Sequence, residues 1–224
     1  RDRLRSRGLG DVYKRQGGVP VIVRTVRAFL AVAEIDMVYV GIKPDWHEYT
    51  NELFERFEID SRRVKVIDGG ADRNGTVMNI AEAIVAEHGK NEGDIILTHD
   101  AVRPFVTEKI IKDNIEAMRE HSACGTYMPA ADTIIRSDGE KVRETLNRSE
   151  LYQAQTPQTF RFGDLRRNYY SLSEEQKKKL TDTCSVFTAC NEDIYLVVGD
   201  ALNFKITTDS DLRMANALAE LSEK

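Results

Sequence analysis

An α/β fold on a mixed, mostly parallel sheet is expected from three features of the 224-residue chain. From residue 17 onward, short β-rich runs alternate with stretches of helical apolar period. Two of the apolar runs end in polar loops, at Gly69 and at His99, as in open parallel sheets whose ligand crevice lies at the carboxyl edge. The length suits one domain with a substantial core.

Val21, Ile22, Val26, Phe29 and Leu30 recur at helical spacing, and the β-rich run 37–42 follows. Pro44 breaks the chain, and Asp45 with Glu48 makes a capping-box-like start for a helix carrying Tyr49, Leu53 and Phe57. A strand at 64–67 runs into Gly69-Gly70-Ala71-Asp72-Arg73-Asn74, then a helix through Met78, Ile80, Ala81, Ile84 and Val85. The apolar strand 95–97 ends at His99-Asp100. Thr107 leads the next helix, and a short strand lies near 126–128. Residues 132–145 hold an Asp-Gly turn between strand-like flanks and read as a hairpin. With few apolar residues to bury, this hairpin projects as a β-arm, about 131–150, and needs a partner. Pro157 is read as fixing a turn, with Gln155 or Gln158 tying down loop amides. The remainder supplies a charged helix near 173–180, a short helix near 182–188, strands at 194–198 and around Lys205, and a last helix capped by Thr208 or Asp209.

Residues 1–16 carry six basic and two acidic side chains, a net of +4 against −5 for the whole chain, which leaves −9 on the other 208. With almost no apolar periodicity, this segment reads as non-native sequence resembling a translated cloning or sequencing adaptor, and residues 17–224 as the single domain. The rival reading, a basic arm for nucleic acid, has one short tail on an acidic body behind it. No apolar run approaches the roughly 20 residues that span a bilayer and no leader opens the chain, so a cytoplasmic protein without membrane or nucleic-acid partners is expected. Cys124, Cys184 and Cys190 lack CxxC spacing, and His47, His88, His99 and His121 share no ligand spacing. A GxSxG elbow is absent, which leaves a serine hydrolase unsupported.

Four stretches carry chemistry together: GGADRNGTV at 69–77, HDAVRPF at 99–105, NRSELYQAQTPQTF at 147–160 and NFKITTDSDL at 203–212. In this order they resemble the cytidylyltransferases that act on methylerythritol phosphate and on ribitol phosphate, over about 17–224. Within that group the chain is most similar to the ribitol-5-phosphate enzymes, through GGADRN, the run SLSEEQKKKLTDTCSVF at 171–187 and the doubled Thr of KITT.

The resemblance implies a Rossmann-like sheet of the nucleotidyltransferase or glycosyltransferase-A kind. It also implies a reaction in which a polyol phosphate oxygen attacks the α-phosphorus of CTP and pyrophosphate leaves. A phosphate nucleophile is already ionised, so such a site needs positive charge more than a base, with Mg²⁺ or another divalent cation bridging the phosphates. By resemblance, Asp100 contacts metal and CTP, and Lys205 stabilises charge on the α-phosphate. Gly69, Gly70, Arg73 and Thr76 meet the nucleotide. Thr133, Arg148, Thr181 and Asp182 meet the polyol phosphate, and the arm crosses to a second subunit of a homodimer.

Plainer readings stand beside these. Asp100 could serve a turn and pair with Arg103, which the rigid Pro104 holds as a loop orienter. Arg73 and Lys205 could be solvated, Asn74 or Thr76 a helix cap, Thr181 or Asp182 an N-cap, and Arg148 paired with Glu144 or Glu150.

The chain departs from the family at its start, where a first strand and a Gly-rich loop bearing Arg and Lys cradle the triphosphate. Residues 1–16 offer neither, and Gly8, Gly10 and Arg15 do not fit that pattern. An N-terminally truncated enzyme is the expectation, with an open slot in the sheet and little or no activity as it stands. The acceptor expected is D-ribitol 5-phosphate, giving CDP-ribitol for teichoic-acid and cell-wall synthesis. The alternatives are 2-C-methyl-D-erythritol 4-phosphate, serving isoprenoid synthesis, and a non-catalytic nucleotide-binding homologue.

Overall fold

A computed structural model describes residues 11–222. A short antiparallel pair, β1 (Arg15–Gln16) and β2 (Val19–Pro20), leads into α1 (Val21–Leu30). Strand β3 (Val38–Ile42), helix α2 (His47–Arg56) and strand β4 (Val64–Asp68) follow, and β3 and β4 pair in parallel. Helix α3 (Arg73–His88), β5 (Ile95–Thr98), α4 (Glu108–Ala117) and β6 (Ala123–Pro129) come next, then the hairpin β7 (Ile135–Ser137) and β8 (Val142–Thr145). The chain closes with β9 (Tyr152–Arg161), α5 (Phe162–Ser171), α6 (Glu174–Lys177), α7 (Cys184–Ala189), β10 (Tyr195–Val198) and α8 (Asp209–Ser222).

The larger sheet has the order β10-β6-β9-β5. Because β10 runs parallel to β6 while β9 is antiparallel to both β6 and β5, three strands point one way and β9 the other. The mixed sheet expected from the sequence is present, and β9 is the element that makes it mixed. The turn expected at Pro157 is not there, because that residue lies inside β9. A proline cannot donate to a ladder, and here the Thr126 hydroxyl donates to the Pro157 carbonyl at 2.7 Å, beside a register shift between Gly125 and Tyr127.

Among the described residues, β3 and β4 form a separate ladder, and no strand joins β3 to β5. Helices hold the two pieces together instead. Successive strand residues point to opposite faces, so Val38 with Leu97 and Gly41 with Ile96 lie on different faces. On the first face Phe29, Val32 and Ile35, from α1 and the turn after it, pack with Ile110 and Ile111 of α4 around Val38 and Leu97. On the second, Thr76 and Ile80 of α3 press on Gly41, while Met78 and Ala81 pack with Ile96 and Phe162. A further core layer stacks Phe160 of β9 on Phe187 of α7, ring centroids 4.8 Å apart.

The expectation that nothing before Gly17 enters the fold is corrected for residues 11–16; residues 1–10 lie outside those described. Val12 and Tyr13 are 8% and 5% exposed, in a core cluster with Ile22, Val40, Leu53 and Phe54. Tyr13 stacks on Trp46 at 4.8 Å, and its hydroxyl meets that of Thr50 at 2.7 Å. One Val-Tyr pair packs despite the basic composition around it, because burying an aromatic ring is favourable while a charge beside it, such as Arg15, stays exposed to water.

Other local expectations shift. Helix α2 begins after a 3-10 turn at Pro44–Trp46 with no side-chain cap, so the Asp45 capping box is not formed. The charged helix is only the four residues of α6, closed by a capping box between Ser173 and Gln176. Thr208 does serve α8, its hydroxyl accepting from Asp211 N at 3.1 Å. No helix among the described residues is long and apolar enough to cross a membrane.

If Tyr13 is a core residue, Tyr13→Ala lowers unfolding free energy by about 3 kcal/mol in urea titration. A change within about 0.5 kcal/mol, the usual range for surface substitutions, contradicts the packing of residues 11–16.

Candidate active site

Asp100 stands two residues beyond β5, its side chain 14% exposed, with three cations on its carboxylate. Arg73 Nε lies 3.4 Å from Oδ1, while Arg103 Nε and Lys205 Nζ lie 3.2 and 3.4 Å from Oδ2. Burial alone would push this carboxyl up, but Lys205, Arg73 and Arg103 together hold it down at about 2. The group is ionised at neutral pH, and the four side chains sum to +2. Metal contact and pairing with Arg103 were the two readings of Asp100, and the pairing is formed.

The loop after β5 is tied by its own polar groups. Desolvation pulls His99 down to about 4, so its ring is neutral at pH 7. Its Nε2 lies 3.1 Å from the Arg103 carbonyl, which only accepts, so Nε2 carries the proton and Nδ1 accepts from the Thr156 hydroxyl at 2.9 Å. The same hydroxyl accepts from Asp100 N at 3.1 Å. Arg103 is buried and donates Nη1 to Asn203 O at 2.8 Å, which makes it the orienter of this loop.

Arg73 opens α3. Asp72, rather than Asn74 or Thr76, is the cap, accepting from Gly75 N at 2.7 Å. The Thr76 hydroxyl accepts from Gly70 N and donates to Asp72 O, both at 2.9 Å, so it braces the loop in this chain. Gly70 is needed for this brace: a Cβ there would sit 2.4 Å from the Gly75 carbonyl carbon. Its close approach is therefore to α3, and Gly69 donates to Ile42 O at 2.7 Å beside it.

Lys205 lies on an extended segment that is not a strand, as the sequence had suggested it was; Ile206 N donates to Val102 O at 2.9 Å but no ladder forms. Alternation still holds, with Ile206 fully buried and Lys205 turned outward at 46% side-chain exposure.

The loop before α7 behaves differently from expectation. Asp182 accepts from Ser185 N at 2.9 Å through one oxygen and from Gln158 Nε2 at 2.6 Å through the other, so both oxygens hold the loop. Thr181 is exposed, its amide on Ser185 Oγ at 3.1 Å. Thr183 is the residue of this loop that reaches the cluster, accepting from Arg73 Nη1 at 2.6 Å. Thr183 and Thr156 were missed because no linear spacing links them to Asp100; the one available signal was the Gln- and Thr-rich run 155–159. Thr133 and Arg148 are not brought to Asp100 within this chain. Both are exposed at the arm's base, where Arg148 Nη1 donates to Ala131 O at 2.8 Å and does not pair with Glu144 or Glu150.

Among the described residues, no three His, Cys, Asp or Glu side chains gather to hold a metal. Asp100 suits a divalent cation only as one protein ligand, with phosphates and water supplying the others. The thiols are bystanders: all three cysteines are free, and burial pushes Cys124 and Cys184 up to about 12.

The profile of the family described as IspD, 2-C-methyl-D-erythritol 4-phosphate cytidylyltransferase, matches residues 3–220. Solved structures are similar over nearly the whole fold. A 4-diphosphocytidyl-2C-methyl-D-erythritol synthase from Anaerococcus prevotii has a TM-score of 0.79 at 27% identity, covering 93% of each chain. The 2-C-methyl-D-erythritol 4-phosphate cytidylyltransferase of Thermus thermophilus has 0.77 at 26%, covering 94% of this chain and 93% of that one. That of Francisella tularensis has 0.80 at 26%, covering 92% of each.

Because the folded Asp100 is more acidic than an ordinary carboxyl, its contribution to stability is present above about pH 4 and lost as pH falls toward 2. Asp100→Asn is expected to lose about 2 kcal/mol at pH 7 and to flatten the stability curve between pH 4 and 2, in chelator-containing buffer. An unchanged curve would show that the carboxylate is not paired as described.

Proposed function

Since the chain belongs to the IspD family of cytidylyltransferases, we propose that its Asp100 site transfers the cytidylyl group of CTP to a polyol phosphate, releasing pyrophosphate. The observation that carries this reading is the excess of cations around one buried carboxylate, which suits a polyanion better than a neutral ligand. In the reaction, an acceptor phosphate oxygen bonds to the α-phosphorus of CTP as the bond to the bridging oxygen breaks. No proton needs removing from the nucleophile, so the protein's task is alignment and charge stabilisation. Lys205 suits the α-phosphate because its side chain is half exposed and its ammonium contacts Asp100 at 3.4 Å. Arg73 faces the nucleotide from the start of α3. A divalent cation held by Asp100 would neutralise triphosphate charge.

The acceptor favoured by the family profile and the similar structures is 2-C-methyl-D-erythritol 4-phosphate, as in isoprenoid synthesis, ahead of the ribitol 5-phosphate expected from the sequence. Ribitol 5-phosphate remains as the second reading because GGADRN, the run 171–187 and the doubled Thr207-Thr208 are features of this chain itself. A cytoplasmic homodimer completes the proposal. The arm strands β7 and β8 are exposed throughout, with Ile135 and Val142 47% and 61% exposed, and Arg148 and Thr133 would meet the acceptor across the dimer.

The test is pyrophosphate release from CTP and Mg²⁺ with each acceptor separately. The chain as it stands is expected to turn over little, because residues 1–16 hold no run of glycines to cradle the triphosphate. Joining an apolar strand and a glycine-rich loop ahead of Val12, so that the packing of Val12 and Tyr13 is kept, should raise the rate, with methylerythritol phosphate preferred. Preference for ribitol phosphate reverses the acceptor assignment, and CTP binding without turnover in the extended chain favours the non-catalytic reading. In the extended chain Lys205→Ala is expected to cost about 10²–10³ in kcat, and a near-normal rate removes Lys205 from the site.

A further inference from the structure

We infer that Thr183 is a positioning residue for Arg73, and that Gln158 holds Thr183 in place; this rests on the proposal that Arg73 meets the nucleotide. The guanidinium of Arg73 has two different partners. Nη1 donates to the Thr183 hydroxyl at 2.6 Å, and Nε faces Asp100 Oδ1 at 3.4 Å. The shorter contact is to the neutral partner, so the hydroxyl fixes the plane of the guanidinium while the carboxylate supplies charge.

Thr183 is fit for this because it cannot move independently. It is buried, and its amide donates to Gln158 Oε1 at 3.1 Å, with the Cys184 amide on the same oxygen at 3.3 Å. Gln158 Nε2 donates to Asp182 Oδ2 at 2.6 Å, so one buried glutamine of β9 grips three consecutive residues of the loop. Asn74, next to Arg73, adds Nδ2 to Asp182 O at 3.4 Å. Thr98 donates to Gln158 O at 3.2 Å, which ties the grip to β5. Buried hydrogen bonds of this kind are costly to leave unmade, so the loop, the start of α3 and the end of β5 keep a fixed spacing. A flexible arginine becomes a preorganised one, and less entropy is lost when a phosphate replaces Asp100 as its partner.

The experiment compares the full chain with Thr183→Val, which keeps the shape and removes the hydroxyl, and Thr183→Ser, which keeps it. Side-chain ¹⁵N spectra of Arg73 report whether the guanidinium rotates freely, and a CTP titration in Mg²⁺ is followed on the same resonances. We expect restricted rotation in the parent and in Thr183→Ser. In Thr183→Val we expect free rotation and a CTP Kd raised about tenfold, the size of one hydrogen bond to a charged group. Restricted rotation surviving in Thr183→Val overturns the inference, as does an unchanged CTP affinity. Should the parent bind no CTP, as the lack of a glycine run in residues 1–16 would allow, the rotation still decides whether Thr183 holds Arg73.

Discussion

Burying the Asp100 carboxylate imposes the constraint on which the rest of the site depends. An uncompensated charge in that position would be protonated or would destabilise the fold, and neither happens because three cations reach it. They come from separate parts of the chain: the start of α3, the loop after β5 and the extended segment before α8. Their exposures differ in a way that divides their roles. Arg103 is buried and fastened to Asn203, whereas Arg73 and Lys205 have 31% and 46% of their side chains in solvent. The inner cation maintains the carboxylate; under the proposed function the outer two would exchange it for an incoming phosphate.

A neutral polar framework holds these charges in place, and most of it hangs on β9. Gln155 donates to Asp200 O at 2.8 Å and accepts from Asn203 Nδ2 at 3.2 Å, which anchors the segment that leads to Lys205. Thr156 serves His99 and Asp100, and Gln158 serves the loop that ends in Thr183. Three residues within one strand thus position three different walls of the site. Running antiparallel between β5 and β6, β9 is the strand from which all three walls can be reached.

The division of the sheet bears on the same site. Helices α1 and α3 bridge β3 and β5 where, among the described residues, no ladder does. The Arg73 end of α3 is therefore registered by helix packing and by the Thr183 contact, not by a continuous sheet. The arm lies outside this framework altogether. Its strands are held by their own ladder and by ion pairs such as Arg136 with Glu144 at 2.7 Å. Such exposed pairs contribute little stability.

Local sequence was enough for the alternation of strands and helices, the arm, the outward turn of Lys205 and the place of Asp100 at the end of an apolar strand. Each of these is a matter of local period, turn chemistry or the end of an apolar run, which neighbouring residues decide. It misjudged Pro157, read as a turn, because whether a proline can sit in a central strand depends on a register shift against the neighbouring strand, which here leaves the extra residues on β9 itself. The packing of Val12 and Tyr13 escaped composition because the ring is held by Trp46 and Thr50, more than thirty residues away. Only the tertiary structure decided that Thr183 and not Thr181 or Asp182 meets Arg73. The two residues are 110 apart, and a single glutamine on a third element sets which threonine of the loop points inward. Hydrogen bonds act over about 3 Å in space and leave no period in the chain, so the partners of a buried charge become visible only when the elements that carry them are packed together.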